Sequence, residues 1–150
     1  MQNTLLIVIA CLLFAACRKL KAPEFKAISN VQVNKISLGK STMRFDMTYY
    51  NPNNTGATLR KADGEAWMDS TYLGPFRVDS VVNIPALAEF IVPVNLEIEM
   101  KQLLKHSLSA FLNEEPLFTI KGTAIVSKGG FSKKIPLRYE GRQNLQALFK

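Results

Sequence analysis

The stretch Phe90-Ile-Val-Pro-Val-Asn-Leu-Glu-Ile-Glu-Met100 decides the fold. Phe90, Val92, Val94, Leu96, Ile98 and Met100 fall on one side of the alternation. Ile91, Pro93, Asn95, Glu97 and Glu99 fall on the other. Side chains of a β-strand point alternately to opposite faces, so this is a strand with one face in a core. Pro93 cannot donate to a ladder, which predicts an edge position or a bulge there.

Outward from this strand the period of two recurs. Met43, Phe45, Met47 and Tyr49 alternate with Arg44, Asp46 and Thr48. Val31 and Val33 lead into Ile36 and Leu38, with a phase slip near Asn34. Phe118, Ile120, Gly122, Ala124 and Val126 make a further stripe. So do Phe131, Lys133, Ile135, Leu137 and Tyr139, after a Gly129-Gly130 turn. Weaker strand regions cover 58–73 and 76–84. One segment departs from the pattern: Lys101 to Leu112 spaces Leu104, Leu108, Phe111 and Leu112 as on an amphipathic helix, ended by Asn113-Glu114-Glu115-Pro116. The reading is all-β: an immunoglobulin/fibronectin-like antiparallel β-sandwich of about seven strands with one helix capping an end. An up-and-down barrel is the alternative.

The N-terminus has a different character. Leu5 to Phe14 is an unbroken apolar run, followed by Ala15-Ala16-Cys17 and then Arg18-Lys19. A span needs roughly 20 apolar residues, so this run reads as the core of a signal peptide. Leu13-Phe14-Ala15-Ala16-Cys17 resembles a bacterial lipobox, although Phe14 stands where that pattern prefers Leu. The resemblance implies cleavage after Ala16 and acylation of Cys17. Cys11 also follows an alanine, but only a short apolar run precedes it. An anchor that is never cut is the competing interpretation. The expected layout is therefore a signal peptide over 1–16, an acylated Cys17 with a basic tether over 17–26, and a domain over 27–150. Arg18, Lys19 and Lys21 are the candidate membrane-contacting residues of the tether. Arg18 after the cysteine is not the Asp that retains many lipoproteins at the inner membrane. By resemblance, that favours the outer membrane.

The segment Phe45-Asp-Met-Thr-Tyr-Tyr-Asn-Pro-Asn53 resembles the early strand of the LEA type 2 family, the water-stress and hypersensitive-response (WHy) domain. More of that pattern follows in order: Ile84-Pro85-Ala86, then Phe90 to Val94, then the amphipathic segment, then Phe118 to Ala124, then Phe131 to Pro136. The resemblance covers roughly residues 28–140. It implies a sandwich fold and a non-enzymatic role linked to stress tolerance. Within the turn, Pro52 fixes φ and the two asparagines can bond neighbouring backbone, so Asn51, Pro52 and Asn53 are read as structural.

Little else carries chemistry. The two cysteines, Cys11 and Cys17, both precede the domain, so it holds no disulfide and no thiolate metal site. His106 is the one histidine, and its neighbour Ser107 points elsewhere on a helix. Glu97 with Glu99, and Glu114 with Glu115, read as solvated faces. No phosphate-binding, dinucleotide or nucleophile-elbow motif occurs. No catalytic residue, cofactor or metal is expected. The net charge of +7 is uneven: residues 121–150 hold seven basic residues against Glu140 alone. An exported, anchored protein rarely meets nucleic acid, and the aromatics lie in strand stripes rather than among the basic residues, so the membrane is the expected partner. Two functions compete: a protective or scaffold module, and a carrier whose apolar groove lies between the helix and a sheet edge.

Overall fold

The computed structural model describes residues 20–35, 37–101 and 115–142. Among them are eight strands: β1 (Glu24–Lys35), β2 (Lys40–Tyr50), β3 (Ala57–Met68), β4 (Thr71–Val78), β5 (Val82–Ile84), β6 (Glu89–Glu99), β7 (Leu117–Lys128) and β8 (Phe131–Arg142). The all-β expectation holds, with eight strands in place of about seven. The helix expected over 101–112 falls almost wholly outside the described residues, as do Cys17, Arg18, Lys19 and His106.

Every pairing is antiparallel, in the order β1-β2-β6-β4-β3-β7-β8, with β5 on β3. The ladder is thin at one place. β4 meets β6 only at Phe76↔Leu96 and Arg77↔Asn95. This seam joins a half made of β1, β2 and β6 to a half made of β3, β4, β5, β7 and β8. The far ends of the order come together again: the rings of Phe25 in β1 and Tyr139 in β8 lie 6.0 Å apart. The sheet therefore folds over on its apolar face.

That face is the one the alternation predicts. Phe90, Val92, Val94 and Leu96 of β6 are buried, together with Met47, Leu59, Ala62, Ala66, Met68, Leu73, Phe76, Val78, Val82 and Ala124. Ile91, on the opposite face of β6, is 54% exposed. Burying a side chain of this size contributes about 1.5–3 kcal/mol, so the inner stripe is the main source of cohesion. Two glycines let neighbouring strands of the second half, β3 and β7, lie close. Gly64 and Gly122 are register partners, and a Cβ on Gly64 would stand 2.6 Å from the Cα of Gly122 and 2.7 Å from the Phe76 ring.

Three expectations need correction. Pro93 is neither on an edge strand nor at a bulge: β6 lies between β2 and β4, and its register with β2 is unbroken, Pro93 facing Asp46. The strand tolerates it because β4 covers only Asn95 and Leu96, so β6 is paired on one side at Pro93. The first strand runs over 24–35 instead of 31–38, so pairing begins inside the segment assigned to the tether. Its register slips at 25–27 and 29–32 as well as at 33–35, with Asn30 at φ 52 and its amide donating to Asp46 at 2.8 Å. The weak region 58–73 is in fact a hairpin, with Asp69 and Ser70 at φ 45 and 69 forming its two-residue turn. Residues other than glycine at both turn positions hid that turn from the sequence.

Candidate functional site

The Asn-Pro-Asn segment follows β2 at the end of the sheet where β1 begins, because Glu24 pairs with Tyr50. Asn51 is only 3% exposed. Its Nδ2 donates to the carbonyl oxygens of Thr55 (3.0 Å) and Pro85 (2.8 Å). Its Oδ1 accepts from the backbone N–H of Asn53 (3.1 Å) and from Asn53 Nδ2 (2.8 Å). Its backbone N–H donates to the Ala88 carbonyl at 2.9 Å, and Leu87 N–H donates to the Asn53 carbonyl at 3.0 Å. One side chain thus ties the turn after β2 to the turn between β5 and β6. A buried amide can hold this position because all its polar atoms are matched.

Asn53 carries the connection further. Its Nδ2 donates to the Lys21 carbonyl and its Oδ1 accepts from the Lys21 N–H, both at 2.8 Å. The side-chain amide thereby mimics a strand neighbour and fixes the chain just before β1. Of the tether residues named from the sequence, Lys21 is the one described, and it is held by its backbone, leaving the ammonium to solvent. Pro52 lies between the two asparagines, half-buried.

Beneath this end lies an aromatic cluster. Tyr49 stacks on Phe90 at 5.8 Å and meets Phe25 edge-on at 5.8 Å. Its hydroxyl donates to the Met47 Sδ at 3.8 Å. Burial, with a smaller push from Tyr139, raises the Tyr49 phenol to about 12. At the opposite end, Lys40 lies between Glu97 (3.7 Å) and Glu99 (3.3 Å); its hydrogen bond to Glu99, and then the charges of Glu99 and Glu97, raise its pKa. The two glutamates on the outer side of β6 thus share one lysine.

The remaining buried polar groups are also matched. Ser41 Oγ accepts from Ser37 N–H at 3.2 Å, and Ser127 Oγ accepts from Arg60 Nε at 2.9 Å. No buried side-chain polar atom is left without a partner among the described residues. None of their His, Cys, Asp and Glu groups could hold a metal ion. What the geometry provides is a joint between two turns and the incoming chain.

Sequence reasoning missed the residues beside that joint. Phe131 belongs to an inward stripe by alternation, yet it is 85% exposed at the tip of the β7–β8 hairpin. Leu87 is 58% exposed and sits at φ 51. Neither signal is readable from periodicity, because both residues lie where strands give way to turns.

Neither a family model nor a curated protein matches the chain. Solved structures do. A protein from Archaeoglobus fulgidus aligns with a TM-score of 0.51 at 8% identity, over 81% of this chain and 97% of its own. The solution structure of AT1g01470 from Arabidopsis thaliana aligns with a TM-score of 0.53 at 11% identity, over 87% and 88% respectively. A late embryogenesis abundant (LEA) protein aligns with a TM-score of 0.40 at 12% identity, over 95% and 86%. At these identities the likeness is one of fold. The chain shares its β fold with the archaeal and Arabidopsis proteins.

Proposed function

We propose that this chain is an exported, lipid-anchored module of the LEA type 2 kind, serving a protective or scaffolding role without catalysis. On this reading the two halves joined at the β4–β6 seam form the immunoglobulin-like sandwich of that family. The observation that carries the proposal is the reciprocal pair of hydrogen bonds between Asn53 and Lys21. A turn that grips the backbone four residues after Cys17 suits a domain hung from that cysteine, since it sets which end of the fold faces the anchor. Two or three acyl chains on Cys17 would hold the protein at the envelope, since each buried CH₂ contributes about 0.8 kcal/mol. The outer membrane is the proposed location.

Intact-mass analysis of protein taken from native membranes tests the anchor. The expected mass is that of a chain starting at Cys17 with acyl groups added, and Cys17→Ser should abolish both processing and membrane retention. An uncut, unmodified N-terminus in the native protein refutes the anchor.

A further inference from the structure

We infer that the end of the domain bearing Lys21 is a docking surface for an anionic phospholipid bilayer, into which Phe131 and Leu87 insert. The inference rests on the reading that Cys17 tethers the chain nearby, and adds a face with which the folded domain itself touches the lipid. The sheet register places these segments at one end. Glu24 and Glu89 both pair with Tyr50, Ala57 pairs with Ile84, Thr58 with Ser127, and Lys128 with Phe131. The Lys21 segment, the 85–88 turn and the 128–131 hairpin therefore project from the same pole.

Three large apolar side chains are exposed there: Leu20 at 77%, Leu87 at 58% and Phe131 at 85%. Leu87 is held in the left-handed region, where a branched side chain is strained and asparagine or glycine would be more stable. Strain of this kind persists where a residue serves something other than stability. The hairpin that presents Phe131 turns on Gly129 and Gly130, at φ 55 and 84, which makes a tight, narrow tip.

Charge points to the same partner. Lys21, Lys26, Arg60, Lys128, Lys133 and Lys134 lie at or next to this pole, against Glu24, Asp79 and Glu89. Glu24 is already paired with Lys26 at 3.0 Å. Among the described residues none of Lys128, Lys133 and Lys134 has a carboxylate partner. The opposite pole holds Asp69, Glu97, Glu99, Glu115 and Glu140 together with Lys40, Lys101 and Arg142, so its charges largely cancel while the Lys21 pole is net basic. Apolar tips ringed by unpaired lysines match a bilayer interface, where tails take the former and anionic headgroups the latter.

The test is depth-resolved quenching. Phe131→Trp and Leu38→Trp variants of the full protein are bound to vesicles of phosphatidylethanolamine and phosphatidylglycerol with acyl chains brominated near the headgroup. Leu38 is the control, 82% exposed at the opposite pole. The signal of the native Trp67 is subtracted using the unsubstituted protein. Phe131→Trp should be quenched several-fold more than Leu38→Trp, and less so in high salt or on phosphatidylcholine alone. Leu87→Asn should weaken that quenching while the far-UV spectrum stays native. Equal quenching at the two positions overturns the proposal. Intact mass of the same sample separates this from the anchor: an unacylated Cys17 refutes the tether, while the Phe131→Trp signal of that unacylated sample still decides the docking surface.

Discussion

Replacing Asn51 by alanine should cost about 3 kcal/mol of stability, and the figure follows from its surroundings. The side chain makes four hydrogen bonds: two donated to the Thr55 and Pro85 carbonyls and two accepted from Asn53. Each is worth roughly 0.5–1.5 kcal/mol net in water, and a buried carbonyl left without a donor costs about 1–3 kcal/mol. Solvent reaching the Asn53 amide offsets some of the sum, because Asn53 is only half-buried. Urea unfolding followed by Trp67 fluorescence reads the effect. With a slope of about 1.5 kcal/mol/M, the midpoint should fall by about 2 M without a change in slope. Asn51→Asp supplies a control, since it keeps the acceptors toward Asn53 and loses both donors. It should be at least as damaging at neutral pH and should recover partly in acid, where a protonated carboxyl can donate once. A loss under about 1 kcal/mol for Asn51→Ala would refute the view that this amide joins the two turns.

Other outcomes follow from the same geometry. Asn53→Ala should leave global stability within about 1 kcal/mol of the parent, yet speed amide exchange at Lys21 and in the first residues of β1; unchanged exchange there would contradict the clasp. Alkaline stability should report Tyr49: the unfolded chain ionises near 10 while the folded phenol stays protonated to about 12. The contribution is thus fully present below pH 10 and falls as pH rises toward 12, by roughly 2.7 kcal/mol, and Tyr49→Phe should flatten that region of the curve. Ser70→Gly should stabilise the fold by about 1 kcal/mol by relieving its positive φ, measurable as a rise in thermal midpoint. Gly64→Ala should lower stability by about 2 kcal/mol or more, because no space exists between Gly122 and the Phe76 ring.

The sequence made the strands legible where one face is buried and the other wet. β6 and β2 alternate without interruption, and their eleven-rung register carries no slip. Legibility failed where the backbone breaks the period. β1 slips three times, and the two-residue turn at Asp69-Ser70 lacks the glycine that marks such a turn. The joint at Asn51 and Asn53 was half readable. Residue types announced a turn, but the partners at Pro85 and Lys21 lie 34 and 32 positions away, and no local pattern encodes that distance. Phe131 shows the converse error, since alternation assigned a face to a strand position that the hairpin carries past the end of the core. Loop-tip residues answer to what lies outside the molecule, and periodicity reports only what lies inside.

The grip of Asn53 on Lys21 also has a mechanical meaning. A pull applied from the N-terminus would load β1 at Glu24, the outermost rung of its ladder with β2. In that geometry the rungs would open in succession, as in a zipper, and a zipper yields at low force. The two short bonds at Lys21 stand ahead of the first rung, so the load reaches the Asn-Pro-Asn turn and the β5–β6 turn behind it before it reaches the ladder. Asn53 thereby acts as a strain relief, taking tension that would otherwise peel the outermost strand.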